Sequence, residues 1–384
     1  MGVKQDVEGI VARFDVRPGP VSVRPFGAGH INRSWSVTVR GPDGDARYLL
    51  QQLNEAVFGD PVRVMENVVR VTEHLGSSLR REGLADADRR ALRLVPTREG
   101  QPYHRDATTG VWRLYPFIAD TAVSEHVATF EEAREVGRAF GTFQRLLADY
   151  RGPRLHETIP RFHDTAGRVD ALERAVRADR AGRARAAASE IERLLAGRGR
   201  AEVLPPLLAS GKLPERIAHN DAKSGNVLLD AATGAAVCVV DLDTVMPGPL
   251  LFDFGDMVRS CTSPTAEDEE DLDRVGLRLP LFEGLAAGYQ EAAASILTDA
   301  ERGLLAFAGT LITYEQAVRF LTDHLDGDRY YRTTRPDHNL ARCRTQLRLL
   351  ETLVAAEDEL AAIVARTGGP QGGRTAGRER RGCT

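Results

Sequence analysis

Hydrophobic and polar positions alternate with a period of two in the first part of the chain. Val21-Ser22-Val23, Ser34 to Val39 and Tyr48 to Leu53 form short strand-like runs, separated by turn chemistry such as Gly41-Pro42-Asp43-Gly44. One helix, predicted over roughly Val62 to Leu75, interrupts them. A final strand over Val111 to Phe117 leads through Tyr115-Pro116-Phe117-Ile118 into a hinge, where Pro116 removes one backbone donor. Beyond it the period changes. Val136, Phe140, Phe143 and Leu147 recur at helical spacing, as do Leu311, Tyr314, Val318, Leu321 and Leu325. Residues 171–200, rich in Arg and Ala, read as solvated scaffold helices, and from Thr367 a Gly-rich basic stretch without periodicity reads as a disordered tail. The pattern predicts an α+β chain of two lobes. Residues 1–118 form a small sheet-containing N-terminal lobe with its hinge, 119–366 a larger, mainly helical lobe, and 367–384 the tail. A length of 384 residues, beyond a usual single core, agrees with two lobes.

Candidate chemistry concentrates at His219-Asn220-Asp221-Ala222-Lys223-Ser224-Gly225-Asn226 and, after an apolar run and a turn, Val239-Val240-Asp241-Leu242-Asp243. The spacing is that of a kinase catalytic loop followed by a metal-binding strand end. Phosphoryl transfer requires that a hydroxyl be oriented and that charge on the transferred group be neutralised by magnesium. Asp221 is the candidate base. Asn226 and Asp241 are the hard oxygen ligands that magnesium prefers. An H-x-D-x-x-x-x-N loop alone fits a solvated loop equally well; the second element, at the right distance and after a β-branched run, favours the kinase. Asp243 faces either the metal and substrate side or the turn.

His219 to Asn226 and the stretch from Val239 to Arg259 (V-V-D-L-D-T-V-M-P-G-P-L-L-F-D-F-G-D-M-V-R) resemble the aminoglycoside phosphotransferase and choline kinase superfamily, and within it the anomeric sugar kinases typified by N-acetylhexosamine 1-kinase. Further matching blocks are Phe26 to Asn32, Tyr48 to Asn54, Met65 to Leu75 and Arg319 to Tyr331. The resemblance implies a protein-kinase-like fold, ATP and Mg2+ as cofactors, and a sugar phosphorylated at its anomeric hydroxyl. For the nucleotide it implies Gly27 and Gly29 in a loop over the phosphates, Tyr115 and Phe117 at the hinge, and Gln51 on the third strand with Glu66 of the helix facing it, although Glu73 also fits the helix position. Kinases usually carry a lysine where Gln51 stands, so other cations must neutralise more of the phosphate charge. For the acceptor the resemblance implies His30, Asp221, Asp243, Arg319 and Tyr330. Residue types alone read Glu315, Arg319 and Asp323, at four-residue spacing, as an exposed ladder of salt bridges. Asp253-Phe254-Gly255 copies the D-F-G of protein kinases but falls twelve residues after Asp241, so Asp253 and Asp256 read as structural, capping a helix or bracing the catalytic loop.

Composition removes other classes. A net charge of −4 argues against a nucleic-acid surface. No apolar run approaches the ~20 residues of a membrane span. The start lacks an apolar signal core, and Cys238, Cys261, Cys343 and Cys383 show no metal or disulfide spacing, which together predict a cytoplasmic enzyme in a reduced compartment. Two alternatives remain open: a kinase of another small hydroxyl compound (a modified sugar, cyclitol, amino alcohol or aminoglycoside), and a non-catalytic binding module, which only Gln51 favours.

Overall fold

A five-stranded antiparallel sheet carries the first part of the chain. The computed structural model describes residues 7–27 and 31–368. After a short helix α1 (Val7–Val11) come β1 (Val21–Pro25), β2 (Arg33–Val39), β3 (Ala46–Gln52), β4 (His104–Asp106) and β5 (Gly110–Pro116), in spatial order β1-β2-β3-β5-β4. Alternation divides each strand between two faces. Val37, Leu50, Trp112 and Leu114 turn to one side and form a core with Phe14 and Val11. Leu53, Val111 and Tyr115 turn to the other and join a core with α2 (Pro61–Arg81). That helix starts at an Asp60 cap, whose carboxylate accepts from the amides of Val62 and Arg63 with Pro61 in the first turn. It runs six residues past the predicted end at Leu75 because Leu79 and Ser78 are buried.

The chain then passes α3 (Ala87–Arg90) and enters the helical part after β5, where the Phe117 amide still donates to the Arg47 carbonyl at 2.9 Å. Here lie β6 (Thr121–Val123), α4 (Phe130–Leu147), α5 (Thr165–Ala178), α6 (Ala188–Ala196) and α7 (Leu204–Ala209). Next come β7 (Arg216–Ala218), β8 (Val227–Asp230), β9 (Ala236–Val239) and β10 (Met246–Gly248), followed by α8 (Leu251–Cys261), α9 (Leu279–Ala293), α10 (Asp299–Gly303), α11 (Leu305–Asp326), α12 (His338–Ala355) and α13 (Glu357–Thr367). The architecture is the expected α+β two-lobe, protein-kinase-like one. Helices α4 and α9 lie almost backbone to backbone, and a Cβ at Gly288 would collide with the Arg134 carbonyl oxygen, which requires glycine there. The Arg/Ala-rich stretch is less solvated than its composition suggests, since Leu172, Ala175 and Leu194 are buried against α11. Glycines 29 and beyond Gly368, His30 and most of the basic tail lie outside the described residues.

Two short pairings position the site. β7 and β10 pair antiparallel with Ala218 opposite Met246, and β8 pairs β9 with Val227 opposite Val239. The loops 219–226 and 240–245 therefore leave neighbouring strands side by side, and the Val240 amide donates to the Asn226 carbonyl at 2.9 Å.

Candidate active site

The loop that carries Asp221 is fixed on all sides by buried polar contacts. His219, fully buried between the rings of Phe140 and Phe143, donates from Nε2 to the Val240 carbonyl (2.9 Å) and accepts the Asp221 amide at Nδ1 (3.3 Å). Asn220 and Asp241 hold left-handed backbones with φ of 64° and 63°, a conformation that Asn and Asp tolerate better than other non-glycine residues. Asn220 secures its own with side-chain bonds to the carbonyls of Ala218 (3.0 Å) and Thr244 (2.9 Å). Asp253 of α8 is fully buried and accepts the amides of His219 (2.9 Å) and Asn220 (2.7 Å) and the side chain of Gln144 (2.6 Å). Of the two structural roles read for it, bracing the loop is the one it performs.

Asp221 accepts from Lys223 Nζ (2.9 Å) and from Asn226 Nδ2 (2.9 Å), both at Oδ2. Burial works to raise its pKa, but the Lys223 charge and hydrogen bond, with His219 and Asn226, outweigh burial and hold the carboxyl below its ordinary value. It is therefore ionised at neutral pH. With Nδ2 committed to Asp221, the amide oxygen is what Asn226 has to offer an ion. Asp241 is exposed. The protein mass that displaces water around it, followed by the charges of Asp243 and Asp221, raises its pKa to about 6. Such a crowd of carboxylates is relieved by a divalent cation. One carboxylate and one amide oxygen are hard ligands of the kind magnesium combines with phosphate oxygens and water, so the residues fit the ion.

The sheet meets this loop through Asp243. Ser34, Gln51 and Arg113 stand opposite one another on β2, β3 and β5. Gln51 donates from Nε2 to Ser34 Oγ (3.1 Å) and accepts at Oε1 from Arg113 Nε (3.0 Å) and Nη2 (2.8 Å). Arg113 Nη1 reaches the Asp243 carboxylate in an ion pair whose partners are both buried. Burial opposes the guanidinium charge, yet Asp243 more than offsets it and raises the Arg113 pKa. Asn32 donates to the other Asp243 oxygen (2.5 Å) and accepts the Asn54 amide (3.0 Å). A cation thus stands one strand over from Gln51, committed to Gln51 and Asp243. Glu66 does not meet Gln51; its carboxylate accepts from Arg70 (3.2 Å) and His156 (2.6 Å). Gly27 turns at φ 74°, and Phe26 packs edge-on against Phe117, over which Arg47 lies at 3.9 Å. Tyr115 is buried, and burial pushes its phenol pKa up.

On the far side of Asp221 the expected exposed ladder is absent among the described residues. Glu315 is buried and accepts from His163 Nδ1 (2.8 Å) and Thr165 Oγ1 (2.6 Å). Asp323, also buried, accepts the amides of Arg329, Tyr330 and Tyr331 and so folds the loop after α11. The structure brings Arg319 and Tyr330 together, the guanidinium lying 5.9 Å from the Tyr330 ring centre, 5.7 Å from Tyr331 and 4.9 Å from Phe162. Phe162 packs edge-on against His163, whose Nε2 lies 3.3 Å from the Asn220 carbonyl oxygen, one residue from Asp221.

A family model described as the phosphotransferase enzyme family (APH) matches residues 22–304 and so includes both loops. The chain belongs to this phosphotransferase family. It is an ATP-dependent small-molecule kinase, with Mg2+ as the ion of its nucleotide. Solved structures of similar fold include an aminoglycoside phosphotransferase from Alicyclobacillus acidocaldarius (TM-score 0.57, 14% identity, covering 95% of this chain and 98% of that one). A choline kinase from Cryptosporidium parvum (0.52, 12%, 94% and 98%) and a spectinomycin phosphotransferase in complex with ADP and spectinomycin (0.51, 13%, 96% and 98%) are also similar. At these identities the likeness concerns the fold.

Four contacts of this phosphotransferase site lay beyond the sequence reading: Lys223 on Asp221, Arg113 and Asn32 on Asp243, and Arg259. Arg259 is held by Asp256 (2.8 Å) and Glu267 (2.6 Å). Burial opposes its charge, but Asp256 and Glu267, with a contribution from Asp221, raise its pKa. Lys223, two residues after the candidate base, was the one with a signal in the motif itself.

Proposed function

We propose that the enzyme transfers the γ-phosphoryl group of ATP to the anomeric hydroxyl of a sugar, an N-acetylhexosamine in the leading case, giving sugar 1-phosphate and ADP. The observation that carries this reading is the joining of Arg319 and Tyr330 beside the catalytic loop, with the rings of Phe162 and Tyr331 at the same guanidinium. Aromatic faces and a guanidinium suit a neutral or acidic sugar. A cationic aminoglycoside would meet Lys223, Arg259 and Arg319 there. Asp221 accepts the hydrogen bond of the acceptor hydroxyl and takes its proton as the phosphoryl group arrives, while Lys223 holds the carboxylate in place. Asn226 and Asp241 hold Mg2+, which neutralises charge on the transferred phosphoryl group. Gly27, Gly29, Gln51, Glu66, Tyr115 and Phe117 are assigned to the nucleotide side, and His30 and Asp243 to the acceptor side, with Asp243 acting through its ties to Arg113 and Asn32. The lobes divide near residue 118. We take the enzyme as cytoplasmic, where its buried cysteines stay reduced.

The test is an acceptor screen with MgATP, read by phosphorus NMR of the product. The reading expects an anomeric phosphate from the free sugar and no product from its methyl glycoside. Turnover of the glycoside at the rate of the free sugar overturns it.

A further inference from the structure

Among the described residues, Arg168 and Arg319 have no carboxylate within ion-pair distance. Arg319 makes one hydrogen bond, from Nη1 to the Gln316 side chain at 3.2 Å. Arg168 of α5 donates from Nη2 to the carbonyls of Phe162 (2.9 Å) and Arg161 (3.5 Å), and its Nε is buried with no partner. Both residues touch Phe162, Arg168 through the backbone and Arg319 over the ring at 4.9 Å. Among the described residues no carboxylate reaches either of them, whereas most other arginines of the helical part, Arg259 and Arg183 among them, are paired. Glu315 is the carboxylate between them, and its oxygens are taken by His163 and Thr165.

That arrangement is costly without a ligand. Like charges repel, and a guanidinium removed from water requires either a counter-ion or full hydrogen bonding. Burial, followed by the neighbouring Arg319 charge, pushes the Arg168 pKa down although Glu315 acts the other way, whereas for Arg319 burial is more than offset by Tyr331 and Glu315; the single carboxylate between them therefore does not balance both cations. A neutral sugar hydroxyl satisfies one donor but leaves the charge uncompensated. A planar or tetrahedral oxyanion satisfies several donors and the charge together. Tyr330, 61% exposed, leaves the outer side of this cluster open to a ligand.

We propose that the acceptor carries an oxyanion substituent, bound between the Arg168 and Arg319 guanidiniums while its reacting hydroxyl faces Asp221. The substrate class is then an acidic sugar: a hexuronic acid, or a sugar bearing a sulfate or phosphate ester. This deepens the sugar-kinase reading and rests on it for the location of the acceptor pocket.

The experiment compares acidic acceptors with their neutral parents at constant ionic strength: glucuronic acid with glucose, galacturonic acid with galactose, and the 6-sulfate and 6-phosphate of N-acetylglucosamine with the parent sugar. ADP release gives kcat/KM, and the readout is the ratio of acid to parent, which cancels any general loss of activity. At least one acid is expected to exceed its parent by about tenfold or more, the scale of a hydrogen bond to a charged group. Arg168→Gln should lower that ratio about tenfold and Arg168→Lys should lower it less, with melting curves confirming that both variants fold. Where no acceptor turns over, calorimetric titration of the same pairs into enzyme with MgADP decides, and tighter binding of an acid than of its parent supports the proposal. Parents equal or superior to every acid, or a ratio unmoved by Arg168→Gln, overturns it. The two readings fail separately. A preferred neutral N-acetylhexosamine phosphorylated at its anomeric oxygen refutes only the oxyanion site, and a preferred acid phosphorylated elsewhere refutes only the anomeric assignment.

Discussion

Arg113→Met removes a cation from a place where water cannot replace it. Arg113 is 1% exposed, and its guanidinium carries the ion pair to Asp243 and both bonds to the Gln51 carbonyl oxygen. Methionine fills much of the same volume but leaves the Asp243 carboxylate buried with only Asn32 and the Gln51 oxygen with no donor. Breaking a buried pair from one side costs about 3–5 kcal/mol, and we expect a loss of that size in urea denaturation. Removing the carboxylate as well should recover part of it. In a double-mutant cycle with Asp243→Asn, the paired variant should be more stable than the sum of the single effects by about 1–3 kcal/mol. Because Gln51 lies on β3 and Asn32 just before β2, beside the nucleotide loop, the KM for ATP should rise in the Arg113 variant. A single-variant loss below about 1 kcal/mol, or a strictly additive cycle, would refute the view that this pair joins the lobes.

Two further outcomes follow from the same network. Asp253→Asn keeps the shape but turns an amide donor toward one of the two loop amides, that of His219 or that of Asn220, so stability should fall by about 2–4 kcal/mol and kcat should fall more than ATP affinity; an unchanged melting temperature and kcat would remove Asp253 from its bracing role. Since the Asp241 carboxyl holds its proton up to about pH 6, well above an ordinary aspartate, proton and Mg2+ compete for it, and the apparent Mg2+ activation constant should rise as pH falls through that value, by about tenfold per unit below it. A constant that stays flat from about pH 7 to pH 5 would show that Asp241 does not hold the ion.

Features encoded by near neighbours in the chain were legible. The strand runs of the first lobe, the apolar stripes of α4 and α11, and the two loops around Asp221 and Asp241 all depend on local spacing, and each has its counterpart in the structure. Asp253 was separable from the metal position by counting residues. What escaped depends on distant partners. Arg113 shares its strand face with Val111 and Tyr115, and nothing local shows what would pair a charge there; its partner Asp243 lies 130 positions later. The Asn32 to Asp243 bond spans 211 positions. Glu315, Arg319 and Asp323 have the spacing of a surface ladder, and nothing local shows that His163 and Thr165 cover the first or that the backbone of residues 329–331 wraps the last. The Arg168 and Arg319 pairing is likewise invisible locally, because α5 and α11 meet only in the fold.

Single-turnover and steady-state kinetics of Asp221→Asn test the central claim most directly. Asparagine preserves the size of the side chain and its neighbours Lys223 and Asn226, but cannot take a proton from the acceptor. The account predicts a folded protein that binds MgATP as the wild type does, with turnover lowered by about 10²–10⁴-fold, roughly 3–5 kcal/mol in the barrier. Near-normal turnover in a folded Asp221→Asn enzyme would contradict it.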